Sequence, residues 1–189
     1  NCTGCIAQTD EIAQHLSRWI PPSRIEVIPN AVDAATRHAS ALAPPAPPPA
    51  SSADASTSGD SPNSDLPKIV LSVGRLSPEK GIDQLLQAWR QAHSQMPDWE
   101  LLIVGDGSQR ASLEAQAADL PRVHFAGWLA ELAPLYRTAE MFVLSSRYEG
   151  FPNALLEAMS HSLACMSTSC SQAITELSRD GQTVHVVSA

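Results

Sequence analysis

From Lys68 onward the sequence predicts an α/β fold, a parallel sheet with helices on both faces. Short apolar runs such as Ile69-Val70-Leu71 and Met141-Phe142-Val143-Leu144 have the length and continuity of strands buried on both sides. Between them lie polar or glycine-containing loops and stretches of helical length. Apolar strands that alternate with helices call for parallel pairing and right-handed crossovers.

The elements follow in order. Residues 1–33 read as a short strand, a helix and a strand. Thr9 with Asp10 and Glu11 starts the helix, Ile12, Leu16 and Ile20 form its apolar stripe, and Ile25-Glu26-Val27-Ile28 is the second strand. Residues 34–67 are rich in Ala, Pro and Ser, with Pro44, Pro45, Pro47, Pro48 and Pro49 clustered. Such a segment cannot bury a core and is expected to be an extended or disordered linker. Beyond it, strands are expected near 68–73, 100–104, 122–125, 141–145, 163–167 and 183–187. Helices are expected near 81–95, 108–118, 131–138, 152–161 and 171–178. No internal repeat stands out.

Composition narrows the function. The chain has 189 residues, 43% of them hydrophobic, enough for one full domain with a core. A net charge of −8 argues against nucleic acid as a partner, because phosphate-backbone binding needs a basic surface. No apolar run approaches the roughly 18 residues that suggest a membrane span. Cys2 and Cys5 have the spacing of a metal knuckle that Cys165 and Cys170 would complete. Cys165, however, sits in the apolar run Leu163-Ala164-Cys165-Met166, where a buried free thiol is the ordinary outcome, and no metal site is expected.

The chemistry concentrates in two loops. Glu149-Gly150-Phe151-Pro152-Asn153 leads from an expected strand into an expected helix, with Glu157 about two turns further on. Pro152 suits the first helical turn, and a helix N-terminus is a natural seat for phosphate. Taken alone, two Glu at this spacing read as a solvated helix face. The second loop changes that balance. Gly74-Arg75-Leu76-Ser77-Pro78-Glu79-Lys80-Gly81 follows the strand ending at Val73 and carries a glycine where backbone can approach a ligand, with two cations five residues apart. Arg offers phosphate a planar fork and Lys a mobile point charge.

Four segments together carry a resemblance: Val-Gly-Arg-Leu-x-x-x-Lys-Gly at 73–81, Leu-Leu-Ile-Val-Gly-Asp-Gly at 101–107, Val-His-Phe-Ala-Gly-Trp at 123–128 and Ser-Arg-Tyr-Glu-Gly-Phe-Pro-Asn-Ala-Leu-Leu-Glu-Ala-Met at 146–159. From Lys68 to about Gly181 the chain resembles the C-terminal, donor-binding domain of the group 1 retaining glycosyltransferases, the Rossmann-like second half of a GT-B fold. Ile28-Pro29-Asn30-Ala31-Val32-Asp33 is similar to the family's crossover between domains. The resemblance implies 1–33 as the tail of an acceptor domain, 34–67 as the linker and 68–189 as the donor domain. It implies transfer of a sugar from a UDP-, GDP- or ADP-sugar, with retention and no obligatory metal or other cofactor. Arg75 and Lys80 would bind the diphosphate and offset charge on the leaving group. Glu149 would contact the sugar hydroxyls and Glu157 the ribose hydroxyls, with Gly74, Gly150, Phe151 and Asn153 completing the donor site. Trp128 lies where the resemblance places the base pocket, where an aromatic either stacks on a base or simply packs, and His161 reads as a helix-end residue that answers the dipole.

The acceptor, whether glycan, lipid or small molecule, is open. A cytoplasmic protein is expected, with any peripheral membrane association through the first domain. Departures from the family pattern are Ser162-Leu163-Ala164 where a Gly-x-Pro step is usual, Ser167-Thr168-Ser169-Cys170-Ser171 in place of a glycine-rich stretch, and the lack of a second glycine after Gly181. Because so little of an acceptor domain precedes the linker, and the chain stops at Ala189 before the closing helices of the family, it is expected to bind donor without transferring sugar. The alternative function is a non-catalytic nucleotide or nucleotide-sugar binding module. A dinucleotide domain fits poorly, since Gly105-Asp106-Gly107 lacks the third glycine and follows the second strand. A hydrolase using both carboxylates would leave the phosphate loop without a purpose. Limited proteolysis should cut first within 34–67, where a Pro/Ala/Ser backbone has no protection. First cuts inside 68–187 would place the domain boundary elsewhere.

Overall fold

The computed structural model describes residues 5–18, 20–28, 66–178 and 184–188. The N-terminal segment forms β1 (Cys5–Ala7), α1 (Asp10–Leu16) and β2 (Ile25–Val27). Thr9 starts the helix as its sequence position suggests, its Oγ1 accepting the Ile12 N–H at 3.2 Å. The two strands pair in parallel, from Cys5 opposite Ile25 to Ala7 opposite Val27.

The larger unit contains β3 (Lys68–Val73), α2 (Ile82–Ala92), β4 (Trp99–Val104), α3 (Arg110–Ala117), β5 (Val123–Gly127), α4 (Ala133–Thr138), β6 (Met141–Leu144), α5 (Asn153–Ser160), β7 (Ala164–Thr168), α6 (Gln172–Leu177) and β8 (Val184–Val187). Its six strands lie in the order β5-β4-β3-β6-β7-β8, all parallel. The chain winds outward from β3 to β5, then returns to the other side of β3 and winds outward again. The expected α/β fold is the fold observed.

Alternation along the strands explains the two faces. Val70 joins Leu101, Ile103, Leu86 and Trp89 in one core cluster, under α2 and α3. Leu71, its chain neighbour, joins Phe142, Leu155 and Ile174 in the other, under α4, α5 and α6. Each fully buried Leu or Ile stabilises the fold by about 1.5–3 kcal/mol relative to exposure. Trp89 satisfies its indole N–H on the Pro121 carbonyl at 3.1 Å.

Element ends differ from the sequence expectation where turns intervene. The helix expected at 81–95 stops at Ala92, and tight turns closed by Gln95 N–H to Ala92 and Met96 N–H to His93 follow, ahead of Pro97. Pro152 is not in the first helical turn: it is the cap before α5, with non-helical φ −86° and ψ 71°, and its carbonyl accepts the Leu155 and Leu156 N–H groups. The segment expected as a linker lies outside the described residues except for Leu66 and Pro67, as do residues 181–183 and Pro29 to Asp33 of the crossover.

The substituted Gly-x-Pro step keeps its turn. Ser162 takes φ +63°, its N–H bonds to Met159 O at 2.9 Å, and the Leu163 N–H bonds to Ala158 O at 3.2 Å. This is a left-handed helix stop with the hydrophobic contact between its third-last residue and the residue beyond the turn, here Ala158 and Leu163 of one core cluster. A serine in this conformation is strained where glycine is not. Ser162→Gly should therefore stabilise the domain by about 0.5–1 kcal/mol after allowing for the greater unfolded-state freedom of glycine. A melting temperature raised by roughly 2–4 °C would show it, and a fall would mean the serine side chain contributes more than its strain costs.

Candidate functional site

In a doubly wound sheet a crevice opens at the carboxyl ends of the strands where the winding direction reverses. Here that point lies between β3 and β6, paired at Val70–Met141 and Leu71–Phe142. The loops leaving these strands, 74–81 and 145–152, are the two that the sequence singled out. They are bonded to each other repeatedly. Ser145 Oγ donates to Lys80 O at 3.0 Å, Arg147 N–H to Glu79 O at 2.8 Å, and an Arg147 guanidinium nitrogen to Pro78 O at 2.9 Å.

The central interaction is the ion pair between Lys80 Nζ and Glu149 Oε1 at 2.7 Å. Ser146 Oγ donates to the same oxygen at 2.6 Å. Glu149 is 8% exposed, and a carboxylate so far from water is tolerated because two strong donors meet it. Arg75 points the other way in energetic terms. It is exposed, and its guanidinium makes no hydrogen bond or ion pair among the described residues. Gly74 is glycine without a packing demand, since a Cβ there would make only ordinary contacts with the Lys80 chain at 3.7–3.8 Å. A Cβ at Gly150 would face open space.

Glu157 is half-buried in α5, and Tyr136 OH donates to its Oε2 at 3.0 Å. Burial first, then the Glu157 charge, holds the Tyr136 hydroxyl far above the usual tyrosine range, so it stays a donor. Phe151 is half-buried, and Asn153, the first residue of α5, is exposed with its N–H donating to Phe151 O at 3.0 Å. The structure thus joins Lys80 to Glu149 directly, while Glu157 is tied to α4 instead.

Other sequence candidates have definite places. His161 closes α5, its Nδ1 2.9 Å from Glu157 O and its ring stacked on Tyr136 with centroids 5.4 Å apart. Trp128 is 73% exposed beyond edge strand β5. Burial pushes the Cys165 thiol up to about 11, and it packs in the core. Cys2 lies outside the described residues, and among those described no group of three His, Cys, Asp or Glu is placed to hold a metal ion. The Gly105-Asp106-Gly107 segment packs loops together: a Cβ at Gly105, which has φ +134°, would meet Gly74 O at 1.9 Å.

Sequence reasoning missed five supporting residues. Arg147 grips Asp83 through two hydrogen bonds of 2.7 and 2.6 Å. Ser146 supports Glu149, and Thr168 Oγ1 from the end of β7 donates to Ser146 O. Tyr136 supports Glu157. Asp83 and Arg147 are 64 residues apart, so no local pattern could pair them. Tyr136, between Leu135 and Arg137, carries only the signal of a core aromatic.

Sheet order, helices on both faces and loops meeting at the winding reversal define a Rossmann-like domain of the GT-B glycosyltransferase kind, and WaaB shares it. A family model described as glycosyl transferases group 1 matches residues 67–189, and the chain belongs to that family. The amylovoran biosynthesis glycosyltransferase AmsD of Erwinia amylovora is 33% identical over 114 residues, 59% of this chain and 32% of AmsD. The apo form of the lipopolysaccharide outer core galactosyltransferase WaaB aligns with 98% of this chain and 48% of its own at 26% identity, with a TM-score of 0.69. Anabaena HepE in complex with UDP-glucose aligns with 98% of this chain and 50% of its own at a TM-score of 0.75 and 20% identity, a likeness of fold. The chain spans about a third of the length of the curated relatives it matches.

The Asp83–Arg147 grip has a pH signature. The hydrogen bond from Arg147 holds the Asp83 carboxyl below its ordinary 3.8. Its stabilising contribution is therefore present above that value and is lost as pH falls through the lower folded-state value. Asp83→Asn should cost up to about 1 kcal/mol at neutral pH, the pair being partly exposed. The difference from wild type in urea unfolding should shrink below about pH 4. A cost that does not change with pH would show that the carboxylate charge is not what holds the loops.

Proposed function

We propose that this chain is the donor-binding half of a retaining glycosyltransferase that moves a sugar from a nucleotide-diphosphate sugar to an acceptor. One observation carries the reading: Lys80 and Glu149, from two different loops, meet at the winding reversal of the sheet, while Arg75 on the Lys80 loop is exposed and its guanidinium makes no hydrogen bond or ion pair among the described residues. A lysine ammonium has three donors, and Glu149 occupies one of them, leaving two for phosphate oxygens. Arg75 supplies the planar fork on the same loop. Together they would offset the charge that grows on the diphosphate as the glycosidic bond breaks.

Each carboxylate has its own task in this reading. Glu149, fixed by Lys80 and Ser146, receives sugar hydroxyls, and Glu157 receives the ribose diol. Gly74 and Gly150 leave room for a ligand to approach backbone, and Phe151 and Asn153 line the start of α5. The two cations take the charge-neutralising role, so the reading needs no metal. Among the described residues no helix is long and apolar enough to cross a membrane, and cytoplasmic action is part of the proposal. UDP is the first donor base to try, because HepE is seen with UDP-glucose.

Titration calorimetry tests the reading. The wild-type polypeptide should bind at least one of UDP, GDP and ADP without magnesium. Arg75→Ala with Lys80→Ala should remove that affinity. Glu157→Gln should weaken every nucleotide, and Glu149→Gln mainly the sugar nucleotide. The 189-residue polypeptide alone should bind without transferring sugar, since transfer needs both walls of a cleft to position donor and acceptor. Unchanged binding in the double variant, folded by circular dichroism, would refute the diphosphate site.

A further inference from the structure

We propose that Tyr136 is a positioning residue whose hydroxyl holds the Glu157 carboxylate in the orientation that receives the ribose hydroxyls; this rests on the donor-site reading above. The geometry favours a specific task over ordinary packing. Tyr136 is 2% exposed, so its O–H needs a partner, and a backbone carbonyl would serve as well as any. The partner is instead an ionisable side chain from another helix, Glu157 Oε2 at 3.0 Å.

The phenol is itself held on two sides. The His161 ring stacks on it at 5.4 Å and 25°, and Phe142 lies against it at 6.1 Å and 53°. His161 is fixed in turn by Nδ1 on the main-chain oxygen of Glu157, 2.9 Å away. A rigid donor therefore meets a flexible acceptor. A glutamate on a helix surface samples several rotamers, and a ligand that needs one of them loses affinity in selecting it. With Oε2 tied to Tyr136, Oε1 has no hydrogen-bond partner among the described residues and remains available to a diol. Four acceptor positions exist on a carboxylate, and Tyr136 takes one.

The role makes a prediction that packing alone does not: Tyr136 should govern the preference for ribose over deoxyribose. Calorimetry on the full chain would use whichever of UDP, GDP and ADP binds best, its 2′-deoxy counterpart, and inorganic pyrophosphate. The wild type should favour the ribonucleotide by about tenfold, the scale of a hydrogen bond to a charged group. Tyr136→Phe removes one oxygen and keeps the stacked ring. It should weaken the ribonucleotide about fivefold and leave the deoxynucleotide and pyrophosphate within about twofold, collapsing the preference. Tyr136→Phe combined with Glu157→Gln should bind no more weakly than Glu157→Gln alone, because residues acting through one contact are not additive.

An undiminished preference in Tyr136→Phe overturns the proposal, and so does additivity in the double variant. An equal loss for all three ligands also overturns it, since that marks a general structural effect. A wild type that binds pyrophosphate but ignores the 2′-hydroxyl removes the ribose role of Glu157 and the proposal with it, while leaving the diphosphate site standing. Absence of binding by all three ligands refutes both readings together.

Discussion

The site depends on a side chain that is missing. A Cβ at Gly81 would lie 2.1 Å from the Ser145 carbonyl oxygen, inside any tolerable contact, and the residue also takes φ +60°. Glycine therefore satisfies two separate demands at once, close approach and a left-handed turn. Because the loop after β6 can press against this point, Ser145 reaches Lys80 O, Arg147 reaches Glu79 O, and the Lys80 ammonium comes within 2.7 Å of Glu149. A side chain at 81 would part the loops and with them every one of these bonds.

Two ion pairs then divide the work across the joined loops. The inner pair, Lys80 with Glu149, has side chains 25% and 7% exposed and lies where charge is poorly screened. Its carboxylate is stable there only with its partners, so removal of either donor would leave an underpaid charge. The outer pair, Arg147 with Asp83, is 40% and 25% exposed and acts as a mechanical tie between the start of α2 and the loop after β6. Thr168 extends the same support to the next strand by bonding Ser146 O. The position of Glu149 is thus set by its own loop together with the loop after β3 and the end of β7.

Helix α5 connects this crevice to the core. Leu155 and Ala158 are fully buried and anchor one side of the helix, whereas Glu157 lies between them in sequence on the side that meets α4. The left-handed stop at Ser162 and the insertion of Leu163 into the core hold the far end. Packing fixes the helix axis, and Tyr136 fixes the one side chain on it that needs a direction. The apolar body and polar tip of tyrosine let a single residue belong to both the core and the site.

The alternation of strands and helices was legible because period and length are local properties of the chain, and each expected strand of the sheet appears within a residue or two. The loops after Val73 and Leu144 were legible too, since cations, glycines and carboxylates stand close together there and match a known family pattern. The left-handed turn at Ser162 and the cap at Pro152 were not, because both depend on which carbonyl the surrounding N–H groups find. Nor did sequence show Asp83 with Arg147, Tyr136 with Glu157, or the packing role of Gly105. Each of these joins segments brought together only when β6 returns beside β3. Composition and spacing determined which residues carry charge and which are buried. Distance between them was decided by the winding of the sheet, and hydrogen bonds and ion pairs depend on distance.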